Sequence, residues 1–399
     1  MAKVQTGLDA LIAEAFRALG GRRVGLLTNP SAVDACLRSA YRVFADSPKV
    51  RLAALFSPEH GIAAVAADGA TVASSTDPRS GVPIFSLYGE TLRPTAEMLA
   101  EIDVLVCDIQ DVGVRYYTYA WTLSHVLEAA GEHGVPVIVL DRPNPLDGIT
   151  VQGPLLERAV ASFVGRFPVT VRHGLTLGEL ATMLNATWNA TPADLTVIEV
   201  RNWQRAQPWE ALGRPWVPPS PAIAHLSTLQ HYPGACLVEG TQLSEGRGTA
   251  LPFELVGAPW IDGDALADRL NGDGWAEPMG ARFRPHTFRP SASKWAGKLC
   301  GGVQVHITDA ARWRPIEVWL GVIVTIYAMY PKHFAWLPQP KQGPHHFDRL
   351  IGGRWVRQQI EAHVRAGRAV RELIASLAAE WNEDANAFAE QRRPFLRYS

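Results

Sequence analysis

Four apolar runs in this chain each stop at a polar tail. Val24-Gly25-Leu26-Leu27 leads into Thr28-Asn29-Pro30, and the run that begins at Arg51 leads into Ser57-Pro58-Glu59-His60-Gly61. The run from Val104 to Cys107 leads into Asp108-Ile109-Gln110-Asp111, and that from Val137 to Leu140 into Asp141-Arg142-Pro143-Asn144. Unbroken apolar runs of this length, separated by helical patterns, predict strands buried on both faces of a parallel sheet, hence an α/β fold. In open sheets of this kind the ligand crevice lies beyond the carboxyl ends of the strands, so the four polar tails should converge there.

The intervening segments predict the rest. Leu8, Leu11, Ile12, Ala15 and Phe16 recur at helical spacing before Gly20-Gly21, and residues 31–44, 95–102 and 122–131 predict crossover helices. Residues 62–81 are rich in Ala, Ser, Gly and Asp with weak periodicity, which predicts a long loop over the mouth that holds Glu59. Thr176-Leu177-Gly178-Glu179 is a capping-box pattern, and residues 83–87 and 195–200 predict further strands. Between 208 and 259 the composition shifts to Pro, Gly and Trp, which predicts a junction and divides the chain into domains 1–226 and 227–399. The second domain reads as α+β. It has a helix at 264–270, β segments at 281–288 and 302–308, an apolar helix from Ile316, and helices at 354–364 and 370–381.

Composition narrows the function classes. A chain of 399 residues exceeds what one core usually organises. Its 38 Lys+Arg against 39 Asp+Glu give no reason to expect nucleic acid or an anionic membrane as partner. The longest apolar run, residues 318–330, falls short of the roughly 20 residues that span a bilayer and predicts a buried helix. The first residues lack the order of a signal peptide, and Cys36, Cys107, Cys236 and Cys300 are widely spaced. A cytoplasmic protein with core cysteines is expected.

The candidate chemistry starts at Glu59. Pro58 stiffens the chain before it and Gly61 frees the chain two residues after it. A carboxyl group at a strand end inside an apolar mouth suits a general acid near neutral pH, because desolvation disfavours its charged form. The alternative is a carboxylate that ties down a loop. Asp108, Asp111 and Arg115 suit either sugar hydroxyls or an internal ion pair, with Asp111–Arg115 favoured as structural. Tyr116 and its neighbours could stack on a sugar face or belong to the core. Arg142, in a loop held by two prolines with Asn144, could fork onto a carboxylate ligand or cap a turn. In the second domain the run 239–249 is dense in glycine and polar groups, and Glu239, Glu245 and Arg247 are candidates for substrate contacts or a second carboxyl. That run lacks the order of a phosphate loop, HExxH is absent, and GxSxG is absent, so neither a nucleotide, a metal nor a serine nucleophile is expected.

The segments LLTNPS, FSPEHGI, IDVLVCDIQDVGVRYYTY, VLDRPNPLDG, VQGPLL, RHGLTLGELA, LVEGTQLSEGRGT, PFELVGAPWI and the ending RRPFLRYS occur in one order along nearly the whole chain. This series resembles the peptidoglycan exo-β-N-acetylmuramidase (NamZ) family. The resemblance implies a Rossmann-like N-terminal domain, a smaller C-terminal domain completing a cleft, and no cofactor. It also implies removal of β-1,4-linked N-acetylmuramic acid from the non-reducing end of peptidoglycan-derived disaccharides or muropeptides. The family's proposed catalytic glutamate falls on Glu59. For a second catalytic group Asp108, Glu239 and Glu245 remain open, as does the substrate's own acetamido group. His60, Arg115, Tyr116, Arg142, Asn144, Glu239, Glu245 and Arg247 are the expected substrate contacts, with Arg142 or Arg247 on the lactyl carboxylate. Ala222 and Gln242 stand where the family pattern is expected to carry asparagine. The rival readings are a non-catalytic muropeptide-binding protein and, behind it, a nucleotide-dependent enzyme.

Overall fold

The computed structural model describes residues 3–67 and 69–399. The chain forms two compact units. The first comprises residues 1–150, 173–224 and 390–399, the second residues 151–172 and 225–389. The junction near 225 falls close to the compositional shift, but the chain also crosses between units at three other places. Residues 151–172 join the second unit through distant contacts. Leu155 N–H donates to Asp384, and Glu157 N–H donates to the Gly352 carbonyl. No local composition signals partners so far along the chain.

In the first unit, helix α1 (Gly7–Ala13) precedes β1 (Arg23–Thr28), α2 (Ala40–Ala45) and β2 (Arg51–Ser57). A two-residue edge strand β3 (Ser75–Thr76), then β4 (Pro83–Ser86), α3 (Ala96–Ala100), β5 (Val104–Asp108), α4 (Tyr119–His133) and β6 (Val137–Leu140) follow. Helix α5 (Leu177–Thr187) and β7 (Leu195–Ile198) complete it. The sheet order is β3-β4-β2-β1-β5-β6-β7, parallel throughout except at the β3 edge. Alternation along each strand places Val24, Leu26, Val104, Val106, Ile138 and Leu140 on one face, where they pack with Leu8, Leu11 and Phe44. The apolar runs are therefore buried on both faces, as continuous runs must be.

Several expected elements have different bounds. Helix 31–44 shrinks to α2, because Asn29 and Asp34 accept hydrogen bonds from Ser31, Cys36 and Arg38 N–H and hold the preceding segment in turns. Helix α4 begins earlier than expected, at Tyr119. The capping box at Thr176 forms, with both reciprocal bonds to Glu179.

The second unit has helix α6 (Leu226–Ala235), then β8 (Leu255–Ala258), α7 (Gly263–Gly272), β9 (Ala281–Phe288) and β10 (Cys300–Ile307). Central β10 pairs antiparallel with both β8 and β9. Helix α8 (Pro315–Met329) is buried along most of its length, which accounts for its apolar composition. Helices α9 (His346–Ile351), α10 (Arg354–Arg365) and α11 (Val370–Arg392) follow; α11 runs eleven residues past its expected end at 381. Among the described residues no helix is long and apolar enough to cross a membrane.

Candidate active site

From β1 the chain moves through β2 to β4 on one side of the sheet, then returns to build β5, β6 and β7 on the other. The direction reverses between β1 and β5, where Thr28 and Asp108 are register partners at the strand ends. Loops diverge at such a switch point and leave a crevice.

Glu59 lies two residues past the end of β2 and is 5% exposed. Its Oε1 accepts from Gly69 N–H at 3.0 Å, and its Oε2 accepts from the Thr118 hydroxyl at 2.7 Å. The two donors differ in kind. A backbone N–H can only donate, whereas a hydroxyl can turn and accept. A proton arriving on Glu59 therefore belongs on Oε2, where Thr118 can reverse its bond. Thr118 is the N-cap residue of α4, yet its side chain makes no capping bond. The hydroxyl is committed to Glu59.

His60 follows with φ of +69° and Gly61 with +77°, so the strand end turns through two left-handed residues. That conformation costs His60 energy. The His60 carbonyl accepts from Val65 and Ala66 N–H, and its ring Nδ1 lies 2.8 Å from the Ala66 carbonyl. A carbonyl only accepts, so Nδ1 carries the proton and His60 fastens the loop that brings Gly69 to Glu59.

Asp111 supplies a second carboxyl in the same unit. Its Oδ2 accepts from Gly113 N–H at 2.7 Å and lies 3.9 Å from His173 Nε2, while its buried Oδ1 has no hydrogen-bond partner. Burial pushes its pKa up to about 7, against the opposing bonds from the Gly113 and Val112 backbone. The phenol pKa of Tyr119 is raised chiefly by burial and also by the charges of Glu59 and Asp111. Tyr119 accepts from Asn29 Nδ2 at 2.8 Å and donates to the Pro219 carbonyl at 2.6 Å. Asn29 also donates to Pro219, so residues 219–220 are fastened here at a point just before Ala222.

Several expected contacts have other tasks. Asp108 is fully buried and both of its oxygens accept from Arg142, at 2.6 and 2.9 Å. The two side chains thus engage each other in an ion pair, and Arg142 also donates to the Val33 carbonyl. Asn144 holds the Leu175 carbonyl and the Leu146 N–H, so its amide ties loops together. Arg115 and Tyr116 are buried at 1% and 3% exposure, and the Arg115 carbonyl accepts from the Trp121 indole. The favoured Asp111–Arg115 pair is replaced, on the Asp111 side, by Gly113 N–H and the neighbouring His173.

The second unit gathers Glu239, Glu245 and Arg247 with Lys294, which sequence reading missed. Arg247 lies 2.6 Å from Glu239 and 3.4 Å from Glu245, and Lys294 lies 2.8 Å from Glu245. Arg247 also sits 4.9 Å over the Phe253 ring. Two carboxylates and two cations balance one another. Gln242 turns its amide to the His333 carbonyl, which gives this departure from the family pattern a structural partner.

Comparison with known proteins matches residues 24–227 to the N-terminal domain described as exo-beta-N-acetylmuramidase NamZ, and residues 230–398 to the C-terminal domain of the same description. The chain belongs to the NamZ exo-β-N-acetylmuramidase family. It is 42% identical over 396 residues to the peptidoglycan beta-N-acetylmuramidase NamZ of Bacillus subtilis strain 168, covering 99% of this chain and 92% of that protein. Two crystal structures of DUF1343 family proteins from Bacteroides fragilis NCTC 9343 are also similar. One is 34% identical with a TM-score of 0.88, each chain fully covered. The other is 29% identical with a TM-score of 0.75, covering 100% of this chain and 99% of that one. NamZ membership fits a carboxyl-bearing crevice at the switch point of an α/β sheet. Around Glu59 the structure adds Gly69 and Thr118, which sequence reading did not single out as contacts. Thr118 lies inside the quoted YYTY, whereas Gly69 lies in the weakly periodic stretch 62–81.

Proposed function

We propose that this chain is a glycoside hydrolase that releases β-1,4-linked N-acetylmuramic acid from the non-reducing end of peptidoglycan fragments, with Glu59 as general acid. The observation that carries the role is the asymmetry at Glu59, one oxygen on an obligate donor and the other on a reversible hydroxyl. Protonated on Oε2, Glu59 delivers that proton to the glycosidic oxygen as the bond to the sugar breaks. Thr118 then turns back to donate to the carboxylate that remains. Gly69 N–H holds the carboxyl plane throughout. Asp111, with its unpartnered Oδ1 and a pKa of about 7, is the second carboxyl we assign to the reaction, in place of Asp108. Glycosidases commonly divide acid and base or nucleophile roles between two such groups.

A peptidoglycan-derived substrate agrees with the curated relative's name. Four free thiols agree with a reducing compartment, so the reading extends to turnover of wall fragments in the cytoplasm. The test offers para-nitrophenyl β-N-acetylmuraminide and the matching N-acetylglucosaminide to the purified protein. Release of nitrophenol from the first and not the second is expected. Cleavage of the glucosaminide alone would refute the assignment.

A further inference from the structure

The loop between β2 and the edge strand β3 carries the Gly69 N–H that donates to Glu59, and it is held differently at its base and at its tip. At the base it is fixed to the sheet. Val72 N–H donates to the Tyr88 carbonyl at 2.9 Å, two residues past β4, and a Cβ on Gly61 would lie 3.3 Å from the Val72 side chain. Toward the tip Ala63, Val65, Ala67 and Gly69 are exposed, Val65 by 78%, so side-chain burial does little to hold the chain there. Hydrogen bonds take over, and three of them meet at His60. Its carbonyl accepts from Val65 N–H at 3.1 Å and from Ala66 N–H at 3.2 Å, and its ring Nδ1 donates to the Ala66 carbonyl at 2.8 Å. His60 is 7% exposed and has φ of +69°, a conformation that glycine or asparagine adopts at less cost. Glycine there would bring no side-chain donor. Gly69 lies three residues beyond Ala66, and Ala70 N–H turns back onto the Ala67 carbonyl at 3.1 Å, so the place of Ala66 governs that of Gly69.

We propose that His60 is a positioning residue for the general acid: through the Ala66 carbonyl it keeps Gly69 N–H on Glu59 Oε1 and so eases release of the proton from Oε2. The inference rests on Glu59 as the acid, and it gives His60 a different task from the substrate contact that the family resemblance implies. As the proton passes from Oε2 to the glycosidic oxygen and the bond to the sugar breaks, negative charge gathers on the carboxyl group. A fixed N–H on Oε1 stabilises that charge without having to reorganise when it appears. A tip released from His60 carries the donor away, and Glu59 becomes a weaker acid. The consequence scales with the leaving group's need for the proton. A sugar alkoxide needs it to depart, whereas a dinitrophenolate departs without it.

The test gives the full chain two substrates of one sugar, the disaccharide of N-acetylmuramic acid β-1,4-linked to N-acetylglucosamine and 2,4-dinitrophenyl β-N-acetylmuraminide. Three substitutions separate the atoms of the ring. An asparagine amide nitrogen reaches the place of Nδ1, a glutamine amide nitrogen that of Nε2, and glycine suits the left-handed backbone while supplying neither. His60→Gly should lower kcat on the disaccharide by about 10- to 100-fold, the worth of a hydrogen bond to a charged group, and leave KM and the dinitrophenyl rate nearly unchanged. His60→Asn should recover most of that loss and His60→Gln little of it. Amide hydrogen exchange, which needs no turnover, should quicken in the loop in His60→Gly and return toward wild type in His60→Asn. An equal fall on both substrates would overturn the proposal, and so would unchanged exchange in the loop. Recovery by glutamine in place of asparagine would overturn it too, by putting Nε2 on the substrate. Wild type that cleaves neither substrate would overturn the muramidase reading and this proposal together, whereas any of the preceding results with an active wild type overturns the proposal alone.

Discussion

Replacing Asp111 by Asn should stabilise the protein at alkaline pH and impair catalysis. The carboxyl is buried, one oxygen has no hydrogen-bond partner, and burial lifts its pKa from 3.8 to about 7. In the unfolded chain Asp111 has lost its proton by about pH 5, whereas in the fold it keeps it up to about pH 7. Folding is therefore favoured by this group at low pH, and that advantage falls as pH rises from about 4 to 7. A shift of about three units at 1.36 kcal/mol each amounts to about 4 kcal/mol at pH 8, and relaxation around the site lowers the observable to about 2 to 4 kcal/mol. Asparagine keeps the shape and can still accept from Gly113 N–H through Oδ1, without the charge. The assay is urea unfolding of both proteins at pH 5 and pH 8, with activity measured on the same samples. The expected result is a higher midpoint for the variant at pH 8, a gain that shrinks at pH 5, and a large loss of turnover. An equal gain at both pH values, or none, would refute the raised pKa. Full activity would refute the role assigned to Asp111.

Other consequences follow from individual contacts. Thr118→Val removes the donor on Glu59 Oε2, a hydrogen bond to a charged group of about 1.5 to 3 kcal/mol, so kcat/KM should fall by about 10- to 100-fold while Thr118→Ser recovers most of it. Tyr398→Phe deletes the hydroxyl that donates to buried Asp141 at 2.5 Å and should lower stability by about 1.5 to 3 kcal/mol in thermal unfolding at pH 8. Lys294→Met leaves buried Glu245 with Arg247 at 3.4 Å as its cation and the Ser293 hydroxyl at 3.4 Å, and a cost of about 3 to 5 kcal/mol should appear in urea unfolding, smaller when Glu245 is replaced by Gln as well.

The strand ends were legible because a buried parallel strand must be apolar until it emerges, so the first polar residue marks the crevice. Glu59, Asp108, Asp111 and Asp141 all stand out in this way, but the pattern cannot rank them. Ranking depends on partners that sequence does not pair. Arg142 closes off Asp108, while Asp141 is enclosed by Thr176, Gly178 and Tyr398. Glu59 and Asp111 are the two carboxyls to which the proposed mechanism gives roles. The short α2 was illegible for a local reason: Asn29 and Asp34 outcompete the helix for backbone donors. The last ten residues were illegible for a distant one. Arg392 donates to the carbonyls of Ile149, His173 and Gly174, and Arg397 N–H donates to Glu179, which returns the end of the chain to the first unit.

The central claim is that Glu59 is the proton donor for glycosidic cleavage. It is tested most directly by comparing wild type with Glu59→Gln on para-nitrophenyl β-N-acetylmuraminide, with binding of N-acetylmuramic acid measured in parallel. Glutamine keeps a carbonyl oxygen for Gly69 N–H but has no acidic proton to give. The account predicts a fall in kcat of about 10²- to 10⁴-fold with affinity for the sugar nearly unchanged. Turnover that survives the substitution would contradict it.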